Sequence, residues 1–117
     1  MKLLVALIFF TISGFSQDTI TSFQAKDFIG KEIFLKGKIA SFKMASEGKT
    51  NNYINIDKAY PNNIFTIVIP NKALETLGFK IEESKDKVII VKGKIEVYEK
   101  DPNQTPQIYN PKFIKLR

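Results

Sequence analysis

A Lys-Gly-Lys-Ile core occurs twice in this chain, each time inside a long apolar stretch, and it constrains the fold more than any other feature. The first copy lies in Glu32–Lys43 (EIFLKGKIASFK) and the second in Val88–Glu99 (VIIVKGKIEVYE). A glycine inside a strand permits a bulge or a close approach of another backbone, so the strand can bend sharply. Two long, bent strands in one chain predict a small closed β-barrel.

The segments between and after these strands predict the order of the other elements. Alternating or β-branched runs bounded by Pro, Asn or Gly indicate strands, and Asn71 and Gly78 are suited to cap the two ends of a helix. The predicted elements are a second strand at Tyr53–Asp57, a third at Ile64–Ile69, a helix at Asn71–Leu77, and a last strand at Pro106–Leu116 broken near Pro111.

Three strands, a helix and two further strands form the order of the oligonucleotide/oligosaccharide-binding fold (OB-fold), in which the helix closes the bottom of the barrel. We therefore predict an all-β domain with one short helix, a five-stranded OB-fold barrel with the helix between strands 3 and 4. An SH3-like barrel is the main alternative, but it does not readily place a two-turn helix at that point.

The N-terminal residues 1–16 have the three parts of a secretory signal peptide. Lys2 is followed by an apolar run from Leu3 to Phe15, and Gly14-Phe15-Ser16 has the small-x-small pattern of a cleavage site. The run is shorter than the about 20 residues that a membrane-spanning helix needs. We expect cleavage before Gln17, a single domain over 17–117, a secreted or periplasmic location and no stable membrane insertion. A membrane anchor and a buried first strand are the alternatives.

Composition argues against catalysis. The 117 residues include no Cys and no His, which excludes disulfides, thiolate nucleophiles, imidazole bases and the usual zinc ligands. The best available carboxylates are Asp57, Glu96 and Glu99, and we interpret them as ordinary charges at exposed strand positions. We predict no enzymatic activity, no catalytic residue, no metal site and no cofactor.

Three stretches resemble small OB-fold modules of bacterial exported or nuclease-associated proteins. They are Phe28–Glu32, the two Lys-Gly-Lys-Ile strands, and Asn55–Ile69 with its Tyr-Pro-Asn turn, so that the resemblance covers roughly 17–117. Members of this group are usually described as nucleic-acid-binding. The resemblance implies an OB-fold that binds a polymer on the outer face of its second and third strands.

Such a surface would combine aromatic rings that stack on bases or sugars with lysines that attract an anionic backbone. The candidates are Tyr53, Phe65, Tyr98 and Tyr60, with Lys36, Lys38, Lys43, Lys49, Lys58, Lys92 and Lys94. Phe65 also suits a core position, Tyr60 a turn anchor beside Pro61, and the lysines of the glycine strands a solvated outer wall that discourages strand addition.

The net charge of +6 permits an anionic partner. All but one of the basic residues are lysines, which lack the bidentate geometry that reads base edges. The leading hypothesis is therefore weak binding of single-stranded nucleic acid or an acidic polysaccharide. The alternative is a protein-interaction or structural module of the cell envelope.

Overall fold

The computed structural model describes residues 19–117, and the predicted signal peptide at 1–16 lies outside them. Within this part of the chain the strands are β1 (Thr19–Ile20), β2 (Glu32–Lys43), β3 (Asn51–Ile56), β4 (Thr66–Pro70), β5 (Val88–Lys94), β6 (Glu96–Val97), β7 (Pro106–Tyr109) and β8 (Phe113–Leu116). Three short 3₁₀ helices accompany them: η1 (Ser22–Asp27), η2 (Asn71–Thr76) and η3 (Ile81–Glu83).

The long strand β2 belongs to both halves of the barrel, because it changes partners near its middle. Its first half, from Glu32 to Lys38, pairs antiparallel with β5, and from Ile39 onward it pairs antiparallel with β3. A β-bulge between Ile39 and Ser41 marks the change. Strand β3 then pairs with β4, which pairs in parallel with β7.

The ring closes through Ile95, which joins β5 to β6. The Ile95 N–H donates to the Lys31 carbonyl over 3.0 Å, and the Ile95 carbonyl accepts from the Gly30 N–H over 2.7 Å. These bonds attach the end of β5 to the residues that precede β2. The next two residues pair with β7 instead. The barrel thus has five sides, β2, β3, β4, β7 and the continuous β5–β6, while β1 and β8 pair with β2 and β5 respectively.

This topology confirms the predicted OB-fold, although more strands form than the five expected. The predicted strand at Glu32–Lys43 has those bounds, and the break near Pro111 separates β7 from β8. The second and third strands begin and end within two residues of their predicted bounds. Two of the three extra strands arise because Ile95 and the turn before Phe113 each divide one predicted strand into two, and the third is β1, which precedes the predicted strands.

The helix was predicted between the third and fourth strands of the barrel, and η2 and η3 occupy that place. The segment is 3₁₀ rather than α-helical, and Asn71 is its first helical residue rather than its N-cap. Gly78 follows it with φ +89°, the left-handed conformation expected at a helix end. No helix in residues 19–117 is long and apolar enough to cross a membrane.

The core lies inside the ring and consists of inward-facing residues at alternate strand positions. The fully buried large side chains are Leu35, Ile39, Ile54, Ile56, Phe65, Ile67, Ile69, Ile81, Ile89, Val91, Ile95 and Ile108. Helix η1 adds the buried Ala25 and the adjoining Phe28 packs against this core. Burying this apolar surface is the main favourable term in folding, and with no Cys the chain has no disulfide to add to it.

Candidate ligand-binding groove

A groove of about 690 Å³ crosses the outer face of β3 and β4. We call it the tyrosine groove. Strands β2, β3, β4 and β7 form its floor, and the β3–β4 and β6–β7 loops form its walls. Its lining residues are Ser41, Phe42, Lys43, Tyr53, Asn55, Tyr60, Pro61, Asn63, Thr66, Tyr98, Asp101, Asn103, Thr105 and Gln107.

Three of the four predicted aromatic residues lie in this one groove. Tyr53 is on the floor with 37% of its surface exposed, while Tyr60 (75%) and Tyr98 (57%) lie on the two walls. Strand alternation explains Tyr53, because its neighbour Ile54 faces the core and is fully buried. The groove therefore offers ring faces from the floor and from both walls.

The prediction of Phe65 as a ligand-binding residue is wrong. Its side chain is fully buried in the core, so it has no ring face on which a base could stack. The Phe65 carbonyl accepts a hydrogen bond from the Ile56 N–H over 3.0 Å, which places the residue opposite the inner side of β3. Phe65 precedes β4 and occupies the core position that the alternative interpretation gave it.

A network of amide and hydroxyl groups under the groove fixes its β3–β4 wall. Thr66 Oγ1 donates to Asn55 Oδ1 over 2.9 Å, and Asn55 Nδ2 donates to Ser41 Oγ over 3.0 Å. Asn63 Nδ2 donates to Thr66 Oγ1 over 2.7 Å, and the Tyr60 N–H donates to Ser41 Oγ over 3.2 Å. Both ends of the loop are thereby attached to the floor, so Tyr60 projects from an anchored segment.

The β6–β7 wall is organised by the carboxylate of Asp101. Its two oxygens accept the N–H groups of Asn103 over 2.9 Å and Thr105 over 3.0 Å. These backbone hydrogen bonds, that from Thr105 first, lower the pKa of Asp101 below its ordinary value. The ionised carboxylate therefore shapes the loop that carries Tyr98.

The buried Asn52 holds the β2–β3 loop at the opposite end of the β3 and β4 strands. Its Oδ1 accepts from the Ala45 N–H over 2.7 Å, and its Nδ2 donates to the Ile69 carbonyl over 3.0 Å and to Asn71 Oδ1 over 2.9 Å. Asn71 thus uses its side chain to join this network, which explains why it does not cap η2.

The charged residues that line the groove are Lys43 and Asp101, so their charges offset one another. The other lysines named as candidates do not line it, namely Lys36, Lys38, Lys49, Lys58, Lys92 and Lys94. On the β2–β5 wall Lys92 Nζ lies 5.1 Å from the centroid of the Phe34 ring, and that ring meets Phe113 edge-on with centroids 6.2 Å apart. Lys36, Lys38, Lys92 and Lys94 thus belong to the β2–β5 wall and not to the groove.

Two carboxylates outside the groove make hydrogen bonds or an ion pair that join different parts of the barrel. Asp57 follows β3 with φ +65°; its Oδ1 accepts the Lys38 N–H over 3.0 Å and its Oδ2 accepts the Ser22 hydroxyl. Glu32 pairs with Lys112 over 2.8 Å, and this contact lowers the pKa of Glu32. No group of three or more His, Cys, Asp or Glu residues that could hold a metal ion occurs in residues 19–117.

Sequence reasoning missed the polar floor formed by Ser41, Asn55, Thr66 and Gln107. A signal was present, because Asn is depleted in strands and yet three of the six residues of β3 are Asn, Asn55 among them. A buried Asn in a strand has to find hydrogen-bond partners, and these partners come from β2 and β4, which are distant in sequence.

No family model matches this chain, and no curated protein matches it. Several solved structures share its fold. A Leishmania major Friedlin protein assigned as an aspartyl-tRNA synthetase aligns with a TM-score of 0.61 at 8% identity, over 87% of this chain and 21% of that one. The asparaginyl-tRNA synthetase of Pyrococcus horikoshii aligns with a TM-score of 0.55 at 13% identity, over 86% of this chain and 23% of that one.

A third similar structure is the OBody AM1L10 bound to hen egg-white lysozyme. It aligns with a TM-score of 0.57 at 15% identity, over 88% of this chain and 96% of the OBody. The chain thus spans about a fifth of each synthetase and almost the whole OBody. At these identities the likeness shows only that the chain has an OB-fold. Its function has to be argued from the residues of the groove.

Proposed function

We propose that this domain is a non-enzymatic binding module that holds single-stranded nucleic acid in the tyrosine groove. The observation that carries the proposal is the presence of three exposed tyrosines, Tyr53, Tyr60 and Tyr98, along one groove. Bases of any sequence stack on such rings, and OB-folds use this outer face for oligonucleotides. The amide and hydroxyl side chains that line the tyrosine groove add hydrogen-bonding groups for base edges.

Stacking, rather than charge, would supply most of the affinity. Lys43 is offset by Asp101 inside the groove, and Lys36, Lys38, Lys92 and Lys94 do not line it. Each phosphate of a single strand that a protein neutralises contributes about −0.7 to the slope of log K against log salt. We therefore expect a shallow slope, close to that of one contact, instead of the steep slope of a lysine-driven interaction.

The test is fluorescence anisotropy with a labelled single-stranded oligonucleotide and the variants Tyr53→Ala and Tyr98→Ala. Each variant should lose about 1–3 kcal/mol of binding free energy for the base that it no longer stacks. Tyr109→Ala is the matched control, because Tyr109 is 47% exposed but does not line the groove. Equal affinity of the wild type and both groove variants would contradict the proposal, as would no binding at low salt.

A protein partner is the second candidate, because the similar OBody is bound to lysozyme. Exposed tyrosines serve as anchors in protein interfaces as well as in stacking platforms. This candidate predicts that oligonucleotides do not bind, while the same Tyr53 and Tyr98 variants weaken a protein complex recovered by crosslinking from the native cell. Competition by an oligonucleotide for that complex would assign both ligands to one groove.

We also propose that the domain works outside the cytoplasm, as a secreted or periplasmic protein. The support is the signal-like sequence of residues 1–16. An acidic polysaccharide is then the natural competitor ligand. Because its sugars carry no flat base to stack on the tyrosines, we expect it to bind more weakly than an oligonucleotide.

A further inference from the structure

A second cleft continues the tyrosine groove toward the N-terminal part of the domain. It has a volume of about 520 Å³ and lies between η1 and the β3–β4 and β6–β7 loops. We call it the Phe23 cleft. Four residues line both cavities, namely Pro61, Asn63, Asn103 and Thr105. The two cavities therefore meet along these shared residues.

The Phe23 cleft has an exposed aromatic ring and a cation on one face of η1. Phe23 is 59% exposed, and Lys26 is the charged residue that lines this cleft. In a 3₁₀ helix, residues three apart lie one above the other, because each turn contains three residues. The ring and the ammonium group consequently lie on the same side of η1, and both line the cleft.

Helix η1 is held firmly, so Phe23 and Lys26 are not exposed by loose attachment. The Ser22 hydroxyl donates to Asp57, Ala25 is fully buried, and the Thr21 N–H donates to Gln24 Oε1 over 2.9 Å. Phe23 is a large apolar side chain that the core of the domain does not use. An exposed ring beside a cleft is available for a base to stack on, as in other single-strand binding sites.

From this continuity we infer that the nucleic acid bound in the tyrosine groove passes Pro61 and continues to Phe23 and Lys26. Phe23 stacks on a further base and Lys26 contacts a phosphate, in a cleft whose lining residues include no acidic side chain. The inference rests on the proposed function and extends it. It assigns the module a longer binding site and a preference for strands long enough to reach both cavities.

The experiment compares a short oligothymidylate of two or three bases with a long one of about twelve, by anisotropy, for the wild type, Phe23→Ala and Lys26→Ala. Both variants should bind the long strand about five-fold or more weakly, because each removes one contact. Both should bind the short strand as the wild type does, since that strand fits within the tyrosine groove. Phe113→Ala and Lys115→Ala are matched controls on β8, outside both cavities.

The outcomes separate this inference from the proposed function. If the wild type binds both strands and the Phe23 and Lys26 variants bind the long one normally, the inference fails and the tyrosine groove stands. Equal weakening for both lengths would also overturn it, because the loss would then reach the groove itself. If the wild type binds neither strand, both ideas fail. Circular dichroism of each variant confirms that the fold is retained.

Discussion

Gly37 and Gly93 are the residues at which the two long strands approach the side chains opposite them. A Cβ placed on Gly37 would lie 2.3 Å from Ile56 Cγ2 and 2.9 Å from Asp57 Oδ2, and one on Gly93 would lie 2.5 Å from Ile108 Cγ2. Real Cβ atoms do not approach other atoms so closely. The repeated glycine thus leaves room for β-branched core side chains on neighbouring strands, where the sequence had predicted a bulge or the close approach of another backbone.

We expect Gly37→Ala and Gly93→Ala each to lower the free energy of unfolding by about 1–3 kcal/mol, because the added methyl group overpacks a close contact. Urea denaturation followed by far-ultraviolet circular dichroism measures the change. The control is Lys36→Ala, an exposed position on the same strand, which should stay within about 0.5 kcal/mol of the wild type. Wild-type stability of both glycine variants would contradict the packing argument.

At the scale of elements, the loops on either side of the tyrosine groove differ in how they are fixed. The β3–β4 loop is attached through neutral groups, Asn63 to Thr66 and Tyr60 to Ser41. The β6–β7 loop depends on the ionised carboxylate of Asp101. The second wall should therefore respond to acidification in the range where aspartate titrates.

The sign of this response follows from the lowered pKa of Asp101. The contribution of the ionised carboxylate to loop order is complete above the ordinary aspartate pKa, about 3.9, and is lost as the pH falls through the lower value of the folded state. In an NMR titration, the amide signals of Asn103 and Thr105 should move with a midpoint below that ordinary value. Asp101→Asn should remove the transition, and a midpoint at or above the ordinary pKa would contradict this account.

At the scale of the whole molecule, the ring closes because the continuous segment β5–β6 pairs first with β2 and then with β7. β5 is bonded to β2, and β6 is bonded to β7, with the buried Ile95 between them. This continuity brings the β6–β7 loop beside the β3–β4 loop and so creates the tyrosine groove between them. The groove is therefore a consequence of barrel closure, not of any single segment.

The N-terminal region makes a separate prediction for the whole molecule. If residues 1–16 act as a signal peptide, the mature protein should begin at Gln17. N-terminal sequencing or intact-mass measurement of protein expressed with the full sequence in an exporting host would test this. Replacing Leu4 and Leu7 with arginine should block export, because charge in the apolar run abolishes its hydrophobic character. Uncleaved, full-length protein in the wild type would contradict the prediction.

The sequence by itself determined the OB-fold, the bounds of β2, the break near Pro111 and the position of the helical segment. These follow from local patterns: alternation, paired glycines and turn residues act within a few positions of one another. It also indicated Tyr53, Tyr60 and Tyr98 as candidate ligand-binding residues, because they are aromatic residues near turns or on an alternating strand.

Only the tertiary structure decided which of these residues share a surface. It buried Phe65, placed the strand lysines on another face, and brought Asn55, Thr66 and Ser41 into one network beneath the tyrosines. Ser41 and Lys43 line the groove because they lie in the half of β2 that pairs with β3. Lys36 and Lys38 lie in the other half, which pairs with β5. Which face a side chain occupies depends on strand register and barrel closure, and these are set by contacts between segments far apart in the chain.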